Sequence, residues 1–324
     1  MTEFGLIDCI NAEINRTPSV GAEPPFIGIG DDTAVIKSHV GYQLATIDAL
    51  VEGVHFKREY LDWSALGWKA LAVNLSDIAS MGGQSSYALV SLALPVGVAV
   101  EDVVDLYRGM GDLAAQTGTV IVGGNITRAN ELSVHVAVTG TVRSKSRVLL
   151  RSKARPGDLI AVTGRLGGAA GGLAVLEGKL KVDVPVAKEL SDIFWRPQPR
   201  LETGRLLVTH GVRCAIDISD GLLADLGHIL KAGNVGASLA AMQIPIYPAV
   251  TLLFGDDALR FALNGGEDYE LLFTARPDVL KRVAAAAECP ITVIGEVTHE
   301  GGQIELLDGQ GNQIVMEPSG WQHF

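Results

Sequence analysis

The sequence predicts a protein of two domains with mixed α/β structure, and three observations support this fold class. First, a chain of 324 residues is long enough for about two domains of ordinary size. Second, a hydrophobic content of 48% with only 19% charged residues provides for packed cores. Third, strand-like and helix-like segments alternate in both halves of the chain, without a repeat of solenoid period.

The first half is predicted to contain strands separated by long helices. Apolar residues at helical spacing predict a short amphipathic helix over 3–15, ahead of the first strands. Segments rich in β-branched and apolar residues predict the strands themselves. The predicted strands are 42–48, 86–94 and 133–142, and the predicted helices between them are 62–81 and 101–117.

A basic stretch at 143–157, which ends in Pro-Gly, marks the predicted domain boundary. We place the first domain at 1–148 and the second at 149–324. The second domain is predicted to open with a strand at 158–164 and a glycine-rich helix start at 165–178. The remaining predicted elements are a helix at 200–210, a strand, turn and helix over 214–233, a strand at 269–275, a helix at 278–289 and a strand at 291–297.

Charge and cysteine content restrict the class of function. A formal net charge of −11 argues against nucleic acid or an anionic membrane as the main partner. The three cysteines are far apart and form no CxxC pair, which indicates a reducing compartment without disulfides or a thiolate zinc site. The acidic, helix-like N-terminal stretch does not resemble a signal peptide, and the apolar runs are too short to cross a bilayer. We therefore expect a cytoplasmic protein.

Two adjacent carboxylates, Asp31 and Asp32, follow a Gly-Ile-Gly turn and need something to neutralise them. A solvated loop tip, a helix cap and a cation site are all possible, although the strand-like segment that follows weakens the cap. Asp48 ends a predicted strand. Asp77 lies near the C-terminal end of helix 62–81, where the helix dipole disfavours a carboxylate. A solvated side chain and a bound cation both remain open for Asp77.

The segment "DISDGL" places two further acids at a strand-to-helix turn. Ser219 or Asp220 is suited to cap the following helix. Capping does not explain Asp217, which follows a buried strand and requires a cation or hydrogen-bond donors. Ligand sets made only of oxygen suit Mg²⁺, and many carboxylates around one cleft are typical of several metal ions that hold phosphates.

Three glycine-rich stretches, 122–125, 164–173 and 264–268, could approach a phosphate. None is a Walker A loop or a clean dinucleotide-binding turn, and close helix packing explains the second equally well.

A lone histidine such as His55 is more often structural than functional. Trp321 is suited either to dock on the core or to stack on a planar ligand.

Eight segments of this sequence resemble the motifs of one known family and occur in the same order. They run from residue 28 to the end of the chain: "GIGDDTAV", "TIDALVEGVHF", "NLSDIASMGG", "VGGNITR", "LLRSKARPGD", "DISDGL", "NGGEDYELLF" and "GWQHF". Together they resemble the thiamine-monophosphate kinase family, in the superfamily of aminoimidazole ribonucleotide synthetase and selenophosphate synthetase. The resemblance implies an aminoimidazole ribonucleotide synthetase-like fold with a C-terminal α/β domain. It also implies a homodimer in which the N-terminal sheets form a shared barrel.

The resemblance further implies ATP-dependent phosphorylation of thiamine monophosphate to thiamine diphosphate, with several Mg²⁺ ions. Catalysis is predicted to act through metal held on Asp31, Asp48, Asp77 and Asp217, by direct in-line transfer without a strong general base. The implied metal ligands are Asp31, Thr46, the backbone of Ile47, Asp48, Asp77, Asn125, Asp217 and Asp220. The implied ATP contacts are Tyr107, Gly124, Asn125, Arg151 and Ser219, and the implied substrate contacts are His55, Glu267 and Trp321.

One position departs from the family pattern. The family often has Asp after the two glycines of "VGG", and this chain has Asn125, whose amide can ligate Mg²⁺ but carries no charge.

Two other functions stay open from the sequence. One is a sister activity, the ATP-dependent synthesis of selenophosphate or aminoimidazole ribonucleotide, although Cys9 lies in a helical pattern and not in a glycine-rich loop. The other is a nucleotide-binding regulator without catalytic activity.

Overall fold

A computed structural model describes residues 26–27, 31–38, 41–178 and 182–315. The predicted helix at 3–15 and Trp321 lie outside these residues. Within them, no helix is both long enough and apolar enough to cross a membrane. The described chain contains two sheets and nine α-helices, which we number in chain order.

The first half forms a five-stranded sheet in the order β1-β2-β5-β3-β4. All neighbours are antiparallel except β3 and β4, which run parallel. Two helices, α1 and α2, follow strands β2 and β3 along the chain. The bounds are β1 Ala34–Ser38, β2 Gly41–Val51, α1 Trp63–Ser80, β3 Gln84–Leu94, α2 Val100–Thr117, β4 Val120–Arg128 and β5 Ser133–Val142.

The second half forms a six-stranded sheet in the order β11-β8-β10-β6-β9-β7. Its strands pair antiparallel except β11 with β8. The strands are β6 Leu159–Thr163, β7 Cys214–Asp217, β8 Gly236–Ala240, β9 Leu271–Ala275, β10 Ile291–Thr298 and β11 Ile304–Leu307. The helices are α3 Gly168–Leu176, α4 Val184–Trp195, α5 Leu201–His210, α6 Leu222–Gly233, α7 Pro248–Phe254, α8 Ala258–Asn264 and α9 Pro277–Ala286.

Helix α1 is the central element of the fold because it is buried on nearly all sides. It packs against α2 and the first sheet, and also against α5 and β7 of the second half. Gly109 of α2 permits this approach, since a Cβ there would lie 1.7 Å from the Ser64 carbonyl oxygen. Gly204 of α5 does the same against the Ala79 carbonyl oxygen, at 2.1 Å. One hydrophobic core thus spans both halves and fixes their relative position.

The opposite face of the first sheet is apolar and exposed. Register pairs Ile47 with Ala137 and Ala137 with Leu89, so these residues share one face. Tyr87 lies on the same face, two residues from Leu89. The exposed fractions are 68% for Ile47, 56% for Tyr87 and 52% for Leu89, whereas alternate residues of the same strands pack on α1. A sheet with two apolar faces needs a second covering layer.

The long predicted helices and the three predicted strands of the first half are confirmed within a few residues. The sequence prediction missed β4, α4, α7, α8, β8 and β11. Strand β4 contains the glycine stretch 122–125, so these glycines lie in an edge strand and not at a helix start. The packing interpretation of 164–173 fits α3, because a Cβ on Gly172 would lie 2.1 Å from the Leu190 carbonyl oxygen of α4.

Candidate active site

A cavity of about 520 Å³ lies between the two halves of the chain, a volume in the range of small-molecule sites. Strand β2 and the loop after it, helices α1 and α3, and the turns that follow β7 and α8 form its walls. Seven residues predicted from the sequence line this one cavity: Asp48, His55, Asp77, Asp217, Ser219, Asp220 and Glu267.

Three carboxylates from distant parts of the sequence meet, and two of them, Asp77 and Asp217, line the cavity. Oxygen atoms of Asp32, Asp77 and Asp217 all lie within 4.8 Å of one another. Burial, together with the charge of Asp32, raises the pKa of Asp217 to about 7. Burial raises the pKa of Asp77 well above its usual range, and the neighbouring Asp48 and Asp217 add to the shift. The protein alone therefore leaves negative charge here without enough compensation.

Hydrogen bonds hold two of these acids in place. The Thr46 hydroxyl of β2 donates to Asp77 Oδ2 at 2.5 Å. The Ser80 hydroxyl has an oxygen-to-oxygen distance of 2.7 Å to Asp32 Oδ2 and of 2.8 Å to the Asp77 carbonyl. Strand β2 and the last turn of α1 thereby fix the positions of the carboxylates.

Arg151 is the cation that contacts the adjacent aspartates Asp31 and Asp32. Its Nη2 pairs with Asp32 Oδ1, and its Nε lies 3.6 Å from Asp31 Oδ1. Burial and the adjacent Asp32 still raise the pKa of Asp31 to about 7. The structure thus places Asp32, rather than Asp31, in the three-carboxylate group, while both acids share one arginine.

The carboxylate group fits a hard cation on chemical grounds. Its donors are oxygens, they converge from separate elements, and burial raises the pKa values of Asp77 and Asp217. Mg²⁺ prefers such oxygen donors. These residues therefore fit the magnesium ions that the sequence predicts, with Asp48 on the same cavity wall.

The turn after β7 is held by a residue that the sequence analysis did not single out. Asp225 Oδ2 accepts backbone N–H groups from Ser219, Asp220 and Gly221, at 3.0 to 3.1 Å. Gly221 is the N-cap of α6 and makes no side-chain cap. The predicted cap by Ser219 or Asp220 is therefore wrong. Gly221 is the N-cap, and the buried carboxylate in the first helical turn reaches back to fix the residues that precede the helix.

The loop after α8 carries three acids that each anchor a different element. Asp268 accepts the N–H groups of Gly167 and Ala169, at 2.7 and 3.1 Å, at the start of α3. This carboxylate occupies the helix terminus in 164–173, one of the three glycine-rich stretches named from the sequence as a phosphate approach. Glu270 pairs with Arg200 at 2.5 Å, and Glu267 pairs with Lys69 of α1 at 3.0 Å.

The remaining predicted residues are spread more widely. His55 Nδ1 accepts the Val51 N–H at 3.1 Å, in the loop that borders the cavity. Tyr107 is half-buried on α2, whereas Ile47, Gly124 and Asn125 are exposed on strands of the first sheet. None of these last four is among the described residues that line the cavity. Their predicted ATP and metal contacts remain predictions.

Comparisons with known proteins agree in family across the whole chain. Models of "AIR synthase related protein" match residues 30–142 for its N-terminal domain and 155–307 for its C-terminal domain. The thiamine-monophosphate kinase of Bacillus subtilis (strain 168) is 35% identical over 334 residues, which cover 100% of both chains. The thiamine-monophosphate kinase of Escherichia coli (strain K12) is 38% identical over 306 residues, which cover 92% of both chains.

A solved structure has a closely similar fold. It is described as "AaThiL complexed with AMPPCP and TMP" and superposes with a TM-score of 0.87 at 32% identity. The match covers 100% of this chain and 97% of the other. The similarity of fold therefore includes both sheets.

Proposed function

The chain belongs to the thiamine-monophosphate kinase family of AIR synthase related proteins, and from this premise we propose that it uses ATP to phosphorylate thiamine monophosphate. The product is thiamine diphosphate. The observation that carries the proposal is a cavity lined by Asp77 and Asp217, whose carboxylates converge with that of Asp32, in a chain that matches such kinases over its full length. A matching structure described with AMPPCP and TMP supports the same pair of ligands.

We propose that the transfer is direct and in line. A phosphate oxygen of thiamine monophosphate attacks the γ-phosphorus, the bond to the bridging oxygen breaks, and ADP leaves with that electron pair. The acceptor phosphate is already anionic at neutral pH, so no strong general base is needed. In this mechanism the chain aligns the two phosphates and keeps opposing charge close to them.

Several Mg²⁺ ions would neutralise the phosphate charge in this site. Asp31, Asp48, Asp77 and Asp217 are proposed to hold them, with Thr46, the backbone of Ile47, Asn125 and Asp220 as further ligands. Asp32 belongs in this set on geometry, since it lies in the three-carboxylate group. ATP is proposed to contact Tyr107, Gly124, Asn125, Arg151 and Ser219, and the substrate to contact His55, Glu267 and Trp321.

We propose a homodimer in which the first sheets of two chains pack into a shared barrel. The exposed apolar face with Ile47, Tyr87 and Leu89 supports this assembly, because a second copy would cover it.

We also propose a domain division between residues 148 and 149. The N-terminal family model ends at residue 142 and the C-terminal model begins at residue 155, on either side of this division. The composition supports a cytoplasmic location.

The alternative activities have less support from the site. Selenophosphate synthesis would call for a reactive cysteine. Cys214 and Cys289, the described cysteines, do not line the described part of the cavity. Cys9 lies outside the described residues.

One incubation tests the proposal. Protein with Mg²⁺, ATP and thiamine monophosphate is expected to form thiamine diphosphate and ADP in equal amounts, as separated by chromatography. ATP consumption without thiamine diphosphate would contradict the substrate assignment. Binding of ATP without any ADP release would instead favour a regulator.

A further inference from the structure

Lys69 is a buried cation that touches the wall of the cavity. It lies in the middle of α1, and its side chain is 1% exposed. Its Nζ is 3.0 Å from Glu267 Oε1 and 3.4 Å from the centre of the Phe194 ring. A buried ammonium is costly unless a carboxylate or an aromatic face compensates it, and both do so here. The ion pair connects the first half of the chain to the loop after α8.

Glu267 has a fixed backbone that leaves its side chain to be oriented by Lys69. Its φ is +68°, an uncommon value for a residue other than glycine. Its N–H donates to the Ser219 carbonyl at 2.7 Å, and Asp268 and Glu270 tie down the residues that follow. The Glu267 side chain is 23% exposed and faces the cavity. Among the described residues, Lys69 is the one cation in an ion pair with it.

We propose that Lys69 is a positioning residue that orients Glu267 toward the organic end of thiamine monophosphate. The inference rests on the proposed function. By the organic end we mean the two rings of thiamine monophosphate, an aminopyrimidine and a cationic thiazolium. The other end is the anionic phosphate. A carboxylate attracts the first end and repels the second. Lys69 therefore serves recognition of the substrate and not the transfer of the phosphoryl group.

The pair also explains why a lysine occurs in an otherwise apolar helix face. Residues on the same face of α1 as Lys69, Leu66 and Val73, are buried hydrophobic side chains. A methionine would fill the same space over Phe194 without the desolvation of a charge. The lysine has a function only through Glu267, since its ammonium does not reach solvent.

Binding measurements on Lys69→Met test the proposal without turnover. We expect Kd for thiamine monophosphate to rise by at least about tenfold, a difference of about 1.4 kcal/mol. Kd for thiamine should rise by the same factor, because the affected contact is to the organic end. Kd for AMPPCP with Mg²⁺ should stay within about twofold, since Glu267 reaches the proposed ATP contact Ser219 through its backbone N–H and not through the side chain that Lys69 orients. Titration calorimetry measures all three.

Arg200→Met is the matched control for loss of a buried ion pair. It breaks the ion pair between Arg200 and Glu270, and Glu270 lies in the same loop as Glu267, three residues further on. We expect it to lower Tm by several degrees, as Lys69→Met does. Its Kd for thiamine should stay within about threefold of wild type. An equal loss of affinity in Arg200→Met would mean that general loosening of the loop explains Lys69→Met, and would overturn the proposal.

The double variant Lys69→Met/Glu267→Gln covers the case in which Lys69→Met does not fold. Removing both charges leaves no unpaired ion, so we expect Tm to recover. Affinity for thiamine should stay low, because the oriented carboxylate is still missing. Wild-type affinity for thiamine in this variant, or a loss confined to thiamine monophosphate, would overturn the assignment. If wild-type protein formed no thiamine diphosphate and bound neither ligand, the proposed function itself would be wrong.

Discussion

Arg151, near the start of the second half, forms an ion pair with Asp32 of the first half at the edge of the carboxylate group. Its Nε also approaches Asp31, and its side chain is 15% exposed. One guanidinium therefore provides the cationic compensation for carboxylates that burial has left close together. Arg151 is also one of the proposed ATP contacts, so we expect it to contribute to both folding and binding.

We expect Arg151→Met to destabilise the metal-free protein by about 3–5 kcal/mol, because the aspartates lose a buried partner. Mg²⁺ should restore part of this loss, since a bound cation compensates the same carboxylates. Urea unfolding in EDTA and in Mg²⁺ measures both effects. Arg213→Met is the control: its exposed side chain contacts the Ser146 carbonyl at 2.7 Å, and its loss should be small in both conditions. Equal destabilisation of the two variants would contradict the role of Arg151.

Asp217→Asn is expected to lower turnover by about 10²-fold or more while leaving the fold intact. The buried side chain keeps its volume but loses the charge proposed to hold a metal. Metal-free stability should not fall, because an uncompensated buried charge is removed. Steady-state assays and thermal unfolding give the two measurements. Asp278→Asn is the control, because Asp278 is an exposed acid on α9. Near-wild-type turnover in Asp217→Asn would contradict the metal assignment.

Stability of the metal-free protein should fall as pH rises. The pKa values of Asp31, Asp217 and Asp268 are raised to about 7, above the usual carboxyl value of 3.8. The folded state therefore holds protons that the unfolded state has released. These groups stabilise the fold fully below about pH 4 and progressively less up to about pH 7.

Mg²⁺ should oppose this trend because it binds the deprotonated carboxylates. We expect the Mg²⁺-induced rise in Tm to be larger at about pH 8 than at about pH 6, measured by calorimetry with and without EDTA. Asp217→Asn should flatten both pH dependences. A rise in Tm that is the same at both pH values would show that the cation binds elsewhere.

Periodicity predicted the elements whose burial pattern is regular. Helix α1 was predicted because its apolar residues form a long helical run, and β5 because its side chains alternate between the two faces. Strand β4 was missed because glycine and asparagine interrupt an exposed edge strand, where no buried face imposes an alternating pattern. The short helices α7 and α8 are fixed by tertiary packing rather than by a pattern of their own.

The candidate site could be predicted in part, since polar residues in apolar surroundings are informative on their own. Asp217 followed a buried strand and needed a cation or hydrogen-bond donors. Asp77 opposed a helix dipole, which left a cation and a solvated side chain both open. Lys69 and Asp225 could not be found in this way. A lysine in a helix is normally taken as exposed, and an acid in a first helical turn is normally taken as a response to the dipole. Their partners, Glu267 and the turn after β7, are brought close only by the tertiary fold.

The exposed apolar face of the first sheet leads to a prediction about assembly. Leu89 is 52% exposed and lies beside Ala137 in the centre of the sheet, between Ile47 and strand β4. A charge at this position would be buried without a partner in the proposed barrel, whereas in a monomer it would face water. We therefore expect Leu89→Asp to convert a dimer into a folded monomer, as measured by light scattering coupled to size-exclusion chromatography. Val104→Asp is the control, because Val104 is 51% exposed on α2, and it should remain dimeric. If Leu89→Asp kept the wild-type mass, the dimer would use another surface, and the apolar face would need a different covering partner.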